Sequence, residues 1–283
     1  MDTTGTAVTA IGLGAMPLSL SGRPDERSAI AVIAKFVEAG GDFIDTANVY
    51  CLDTKDLGHN ERLIHKALRE IGAIDRVRVA SKGGLTKEGS GWDTDGRPQW
   101  LRTSCERSLR DLGTDRIFLY QLHAPDPAVA FSDSVAELAR LREEGKVEHI
   151  GLSNVEMHHI EQALKIAPIA SVQNKLHVFC KKSVRNGVLD LCRDKGIAFI
   201  AHSPVGGHMS HRRLPDSVEL RSMSAKYRVT PYQLALAWLL QKGENLIAIP
   251  GASRTASVLA SLEAMSVQIE ARDIARLDGL SDW

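Results

Sequence analysis

Short apolar runs alternate along this chain with longer stretches in which apolar positions recur every three or four residues. The short runs are VTAIGLG near the start, then DFIDT, VRVASK, IFLYQLH, VEHIGLS, IASVQN, IAFIAHS and LIAIP. Runs of this kind, bounded by polar and Gly-rich positions, predict buried strands. The intervening stretches predict amphipathic helices. ERSAIAVIAKFVEAG, NERLIHKALREIG, QWLRTSCERSLRDLG and DSVAELARLREEG all end on Gly, which a helix C-terminus favours. Later helices are expected in VEMHHIEQALKI, SVRNGVLDLCRDKG, the region 217–242, SVLASLEAM and the tail IEARDIARLDGLSDW.

Strand-then-helix units repeated about eight times predict an α/β fold, a (β/α)₈ barrel of typical size ~250 residues. No linker or low-complexity segment divides residues 1–283, so one domain is expected. A doubly wound sheet would show a Gly-x-Gly-x-x-Gly turn after its first strand. Gly12 and Gly14 have the opening spacing, but Pro17 stands where the third Gly belongs, and no helix is expected there.

Three strand ends carry complementary chemistry. Asp45 closes DFID, Lys82 closes VRVASK and His123 closes IFLYQLH, while Tyr50 follows five residues after Asp45. A barrel of parallel strands gathers such ends at one mouth. A free Tyr, with pKa ~10, is a weak acid. A cation within ~4–6 Å favours the phenolate. Lys82 supplies that cation, Asp45 its counter-charge, and His123 a hydrogen bond to a carbonyl oxygen. Tyr50 is then a proton donor in carbonyl chemistry. A barrel aldolase using Lys82 as a Schiff-base nucleophile is the alternative from a different class.

Composition narrows the field. The sequence has 35 Lys and Arg against 35 Asp and Glu, a balance that gives no support to nucleic-acid binding. No apolar run approaches the ~20 residues that span a bilayer. MDTTGTAVTAIGLG lacks the basic region and apolar core of a secretory leader, so a cytoplasmic protein is expected. Cys51, Cys105, Cys180 and Cys192 are scattered without metal-like spacing and are expected as free thiols.

GGDFIDTANVY, VASKGG, SLRDLGTDRIFLYQLHAPD and EEGKVEHIGLSN together resemble the aldo-keto reductase family over nearly the whole chain. The resemblance implies a (β/α)₈ barrel and nicotinamide-linked reduction of aldehydes or ketones. It places a catalytic set at Asp45, Tyr50, Lys82 and His123. It places nicotinamide contacts at Ser153, Asn154 and Gln173, whose hydroxyl and amide groups suit a carboxamide. Where the family usually has an aromatic stacking residue, this chain has His202. Ser203-Pro204-Val205-Gly206-Gly207 resembles the pyrophosphate loop, with Val205 and Gly207 among its contacts.

The exit of the last strand, IPGASRTASVLASLEA, resembles the Pro-Gly-Ala-x-Arg variety of the family. Arg254, helped by Ser253 and the following helix N-terminus, is then the ligand of a 2′-phosphate. This favours NADP(H), with NAD(H) as the other cofactor. Ser257 and Ser261 stand where many members have Arg and Asn. The resemblance also leaves a non-catalytic reading, because the same fold serves as a regulatory subunit of ion channels in some relatives.

The substrate pocket is expected from loops 16–20 and 83–100 and the stretch after His123. Met16 and Trp92 are its candidate walls, and Trp100 is expected to pack at a helix start. The tail after the last helix is short, which predicts an open pocket and a broad or sugar-like range of small carbonyl or alcohol substrates. The loop GGHMSHRRLPD, with His208, His211, Arg212 and Arg213, lacks the Cys or carboxylate that would complete a zinc set and is expected as a flap over the cofactor phosphates. A monomer without metal, membrane or nucleic-acid partner is expected.

Overall fold

The structure is a computed structural model that describes residues 5, 7–89 and 91–283, without the side chains of His208 and Met209. Its eight barrel strands are β1 (Leu13–Gly14), β2 (Phe43–Asp45), β3 (Arg78–Gly83), β6 (Ile117–Leu122), β7 (Val147–Ser153), β8 (Ser171–Lys175), β9 (Ala198–His202) and β10 (Leu246–Ile249). Each pairs in parallel with the next, in the order β1-β2-β3-β6-β7-β8-β9-β10. Parallel bridges Ile11↔Ala248 and Gly14↔Gly251 join the first strand region to the last. The join is tight: a Cβ on Gly14 would stand 2.7 Å from the Ile249 carbonyl oxygen, so Gly is required there. The eight predicted strands are those observed, although VTAIGLG yields only two strand residues.

Helices lie outside the barrel. They include α1 (Glu26–Glu38), α2 (His59–Glu70), α3 (Pro98–Leu112), α4 (Phe131–Glu143) and α5 (Met157–Leu164). α1 starts because the Asp25 side chain accepts from Ser28 N at 2.8 Å. α3 has Pro98 in its first turn and ends on Gly113 at φ 61°. Two predicted helices are each divided. SVRNGVLDLCRDKG forms α6 (Lys182–Arg185) and α7 (Val188–Asp194), separated at left-handed Gly187. Residues 217–242 form α9 (Val218–Tyr227) and α10 (Pro231–Leu240). The break follows Arg228 at φ 55°, and a Thr230–Gln233 capping box restarts the chain. α11 (Thr255–Glu263) and α12 (Ala271–Asp278) complete the chain.

Two expectations are corrected. A three-residue 3₁₀ turn, Met16–Leu18, begins where no helix was expected, with Pro17 in its first turn. Within the stretch read as a loop, β4 (Leu85–Glu88) and β5 (Gly91–Thr94) pair as an antiparallel hairpin. The loop after β9 is also ordered, as α8 (Gly207–Ser210) and a 3₁₀ segment His211–Asp216.

Side chains alternate between two environments along each barrel strand. Phe43, Ala80, Leu119, Ala170, Ile200 and Ile249 form a separate apolar cluster inside the barrel. Two residues further on, towards the C-terminal ends, Asp45, Lys82, Gln121 and His202 continue the same inward rows as Phe43, Ala80, Leu119 and Ile200. The larger cluster, including Ile33, Phe36, Ile64, Leu138, Phe199 and Trp238, fills the space between sheet and helices. An apolar floor thus supports a polar layer at the barrel's C-terminal mouth.

Candidate active site

The polar layer centres on Lys82, which is fully buried. Its Nζ lies 2.5 Å from Asp45 Oδ1, donates to Thr46 O at 2.9 Å and lies 3.2 Å from Tyr50 Oη. Asp45 Oδ2 accepts from Gln173 Nε2 at 2.8 Å and Gln121 Nε2 at 3.2 Å. Every donor position of the ammonium is therefore occupied, and the carboxylate accepts on both oxygens. Burial alone would lower the Lys82 pKa; Asp45 and then Tyr50 outweigh it and hold it above its usual value. Lys82 is a buried cation.

Tyr50 corrects one expectation. Lys82 does pull its pKa down, but burial is the larger effect and the phenol ends above its ordinary 10.0. The side chain is a protonated donor already bonded to an ammonium, and is not a preformed phenolate. His123 stands edge-on to it, with ring centroids 5.8 Å apart. Burial, then the Lys82 charge, hold the His123 pKa well below 6.5, so the ring is neutral. Its Nδ1 is buried without a partner.

Two loops complete the mouth. Trp92, on β5, lies edge-on to Tyr50 at 6.5 Å and donates from Nε1 to Val49 O at 3.1 Å. Its fixed indole remains 41 % exposed, enough to offer an apolar face beside the phenol. Met16 packs against the apolar group of Ala47, Val49 and Tyr50. Trp100 sits at the start of α3 and donates to Leu85 O at 3.1 Å, which ties the hairpin to that helix.

The other predicted positions surround the same mouth. Ser153 and Gln173 are adjacent in register on β7 and β8 and are buried. Asn154 follows β7 at φ 57° and Ser203 follows β9 at φ 53°, both left-handed conformations that are uncommon outside Gly. Asn154 Nδ2 donates to His123 O at 2.9 Å, and its Oδ1 lies 3.1 Å from His202 Nε2. His202 Nδ1 lies 3.2 Å from Ser203 Oγ. His202 is thereby fixed by both ring nitrogens, and burial lowers its pKa to about 3. A neutral ring results. Val205 is half-buried and packs against the main core. Gly206 and Gly207 have φ 92° and 66°, and a Cβ on Gly206 would meet Ser210 backbone at 2.9 Å.

The end of β10 provides a place for an anion. Ser253 and Arg254 are exposed, and Arg254 makes no ion pair among the described residues. It is the N-cap residue of α11, whose N-terminus has no side-chain cap and no acidic residue in its first turn. Unsatisfied N–H groups beside a free guanidinium fit a phosphate. Ser257 lies within α11, and Ser261 Oγ donates to Ser257 O at 2.9 Å. In the loop after β9, His211 Nδ1 lies 2.9 Å from Gly207 O, and the His208 side chain lies outside the described residues.

The model of the Aldo/keto reductase family matches residues 10–282. The chain belongs to the aldo/keto reductase family. A probable aldo-keto reductase of Glycine max is 30% identical over 306 residues, covering 98% of this chain and 86% of that protein. An uncharacterised oxidoreductase of Schizosaccharomyces pombe is 33% identical over 276 residues, covering 96% and 86%. A crystal structure of an aldo-keto reductase from Klebsiella pneumoniae with NADPH superposes with TM-score 0.82 at 25% identity, covering 98% of this chain and 92% of that one. The barrel and the oxidoreductase class read from the sequence stand on these findings. Among the described residues no helix is long and apolar enough to cross a membrane.

The sequence reading passed over Gln121. It is fully buried, faces Asp45 and accepts from Gln173 Nε2 at 3.2 Å through Oε1. Strand alternation was the available signal, because Leu119 and Gln121 share the inward parity of β6. Thr46 was also missed: its carbonyl holds Lys82, and its hydroxyl donates to buried Asn60 at 2.5 Å.

Proposed function

We propose that this protein interconverts small aldehydes or ketones and their alcohols with NADP(H), and that Tyr50 moves the proton. When bound, the cofactor supplies or accepts the hydride. The observation that carries this reading is Lys82 Nζ held between Asp45 and Tyr50, at 2.5 and 3.2 Å. In reduction, Tyr50 gives its proton to the carbonyl oxygen as negative charge develops there. Lys82 lies close enough to stabilise the phenolate that this leaves, and Asp45 keeps Lys82 charged. The neutral His123 ring donates its one N–H to the same oxygen and orients it. Trp92 and Met16 supply apolar contacts beside Tyr50 and restrict water there.

The cofactor assignment draws on the fit of this chain's own groups. Ser153, Asn154 and Gln173 would hold the nicotinamide carboxamide, with His202 near its ring and the backbone of 203–207 available to the pyrophosphate. Arg254 and the α11 N-terminus would take the 2′-phosphate. The Klebsiella pneumoniae relative crystallised with NADPH supports the same cofactor. A Schiff-base lysine must be a free amine to attack. Lys82 is instead fully paired and held as an ammonium, which favours the reductase reading.

Titration with NADPH and NADH, followed by a panel of carbonyl substrates, tests cofactor and reaction together. Arg254→Ala is expected to weaken NADPH by ~1.5–3 kcal/mol, the range for hydrogen bonds to charged groups, and to leave NADH nearly unchanged. Equal losses for both cofactors would remove Arg254 from the phosphate site.

A further inference from the structure

We propose that Gln121 is a positioning residue that, together with Asp45, pins the Gln173 amide so that its oxygen faces the nicotinamide carboxamide. The proposal rests on the function proposed above.

Its basis is a closed triangle of buried groups. Asp45 Oδ2 accepts from Gln173 Nε2 at 2.8 Å and from Gln121 Nε2 at 3.2 Å. Gln121 Oε1 accepts from Gln173 Nε2 at 3.2 Å. The orientations follow from chemistry. Asp45 is paired with Lys82 and so is an acceptor only. Both amides must turn their nitrogens toward it. Gln121 then has its oxygen left, and that oxygen takes the second hydrogen of Gln173 Nε2. Both hydrogens of the Gln173 amide are consumed. Gln173 Oε1 makes no hydrogen bond among the described residues and is the atom left to meet a ligand. Gln173 therefore recognises an N–H donor, which the carboxamide of nicotinamide has.

The backbone makes room for this arrangement. Gln121 pairs with Lys82 on one side and Gly151 on the other. A Cβ on Gly151 would stand 3.0 Å from Gln121 Cγ and 2.3 Å from Ser171 Oγ. Gln121 is fully buried, with apolar Leu119 below it on the same inward row. Removing its polar atoms leaves one hydrogen of Gln173 unpaired in a buried site, so that Asp45 alone holds the amide and its plane is no longer pinned by two bonds.

The test compares binding of three ligands to the full chain by fluorescence titration. They are NADP⁺, its 3-acetylpyridine analogue (which has no carboxamide N–H) and 2′-phospho-ADP-ribose (which has no nicotinamide). Wild type is expected to prefer NADP⁺ over the analogue. Gln121→Met, similar in volume, is expected to lose most of that preference. NADP⁺ should weaken roughly tenfold, the size of one neutral hydrogen bond, while 2′-phospho-ADP-ribose is unchanged. Gln121→Leu also removes both polar atoms and is expected to behave as the Met variant does. Equal weakening of NADP⁺ and 2′-phospho-ADP-ribose would reduce Gln121 to a general structural role and overturn the proposal. So would an undiminished preference in Gln121→Met, or in Gln121→Leu if the Met variant does not fold. Failure of wild type to bind any of the three would instead sink the cofactor reading itself.

Discussion

Neighbouring residues of β3 open onto two buried polar clusters that differ in one respect. Lys82 faces into the barrel and Ser81 faces out, toward α2 and α3. On the inner side a cation and an anion are buried together, and each has its hydrogen bonds filled. On the outer side Glu61 is fully buried and makes no ion pair among the described residues. Its Oε1 accepts from Ser81 Oγ at 2.5 Å, and Ser108 and Tyr120 are buried close to it. Packing there is close: a Cβ on Gly83 would stand 2.2 Å from Tyr120 Oη. Burial resolves the two cases oppositely. Glu61 is pushed up to about 7, chiefly by burial, whereas Lys82 stays charged despite it. Burial produces an active ion only where a counter-ion is buried with it. The inner cluster can therefore tune proton transfer, and the outer one bears on stability.

The largest effect is expected from breaking the inner pair. Lys82→Met removes the charge beside Tyr50 and should lower kcat by ~10²–10⁴-fold, the usual worth of positioned acid catalysis. It also leaves Asp45 buried without its cation, so about 3–5 kcal/mol of stability should go with it. Steady-state kinetics and denaturant unfolding of the same variant measure both. Unchanged stability would mean that the Lys82–Asp45 pair does not hold the buried layer together.

The pH dependence sharpens the inner side. Tyr50 must be protonated to act in reduction, and its pKa lies above 10.0. Reduction should therefore show no loss from Tyr50 ionisation up to that pH. Alcohol oxidation needs the phenolate and should rise through the alkaline range. An alkaline limb of reduction near pH 7 that disappears in Tyr50→Phe would contradict the raised value.

On the outer side, Glu61 holds its proton more tightly in the folded state, at about 7 against an ordinary 4.5. The folded form then binds more protons than the unfolded chain between those values, so this group makes stability fall as pH rises through that window. Glu61→Gln removes the titration and keeps an acceptor for Ser81. Relative to wild type it should gain stability from pH 5 to pH 8, measured by thermal unfolding at each pH. A constant difference across the range would show that Glu61 does not titrate there. The smallest effect is Ser81→Ala, about 1 kcal/mol of stability from one lost hydrogen bond, with kcat unchanged.

Much of this was legible in the chain. The eight strands are apolar runs, and Asp45, Lys82 and His123 stand where those runs end, so a parallel barrel had to bring them to one mouth. The hairpin β4–β5 was missed because LTKE and GWDT carry no apolar face of their own, and their shape depends on Trp92 and Trp100 reaching main-chain carbonyls. The breaks at Gly187 and Arg228 are single left-handed residues inside otherwise continuous helical patterns. Gln121 looked like one polar residue in an apolar strand, and only the register with Lys82 and Gly151 reveals what it faces. The net acidity of Tyr50 is a balance of burial against charge, and spacing alone does not fix its sign.

The central claim is that Tyr50, bonded to a buried ammonium, is the proton donor. Single-turnover reduction by Tyr50→Phe with NADPH and its 4-deuterated form, set beside the Kd for NADPH, tests it most directly. The account predicts a loss of ~10²–10⁴-fold in the hydride-transfer rate with NADPH affinity near that of wild type. A Tyr50→Phe enzyme that keeps the full rate, with the deuterium effect showing hydride transfer to be rate-limiting, would contradict it.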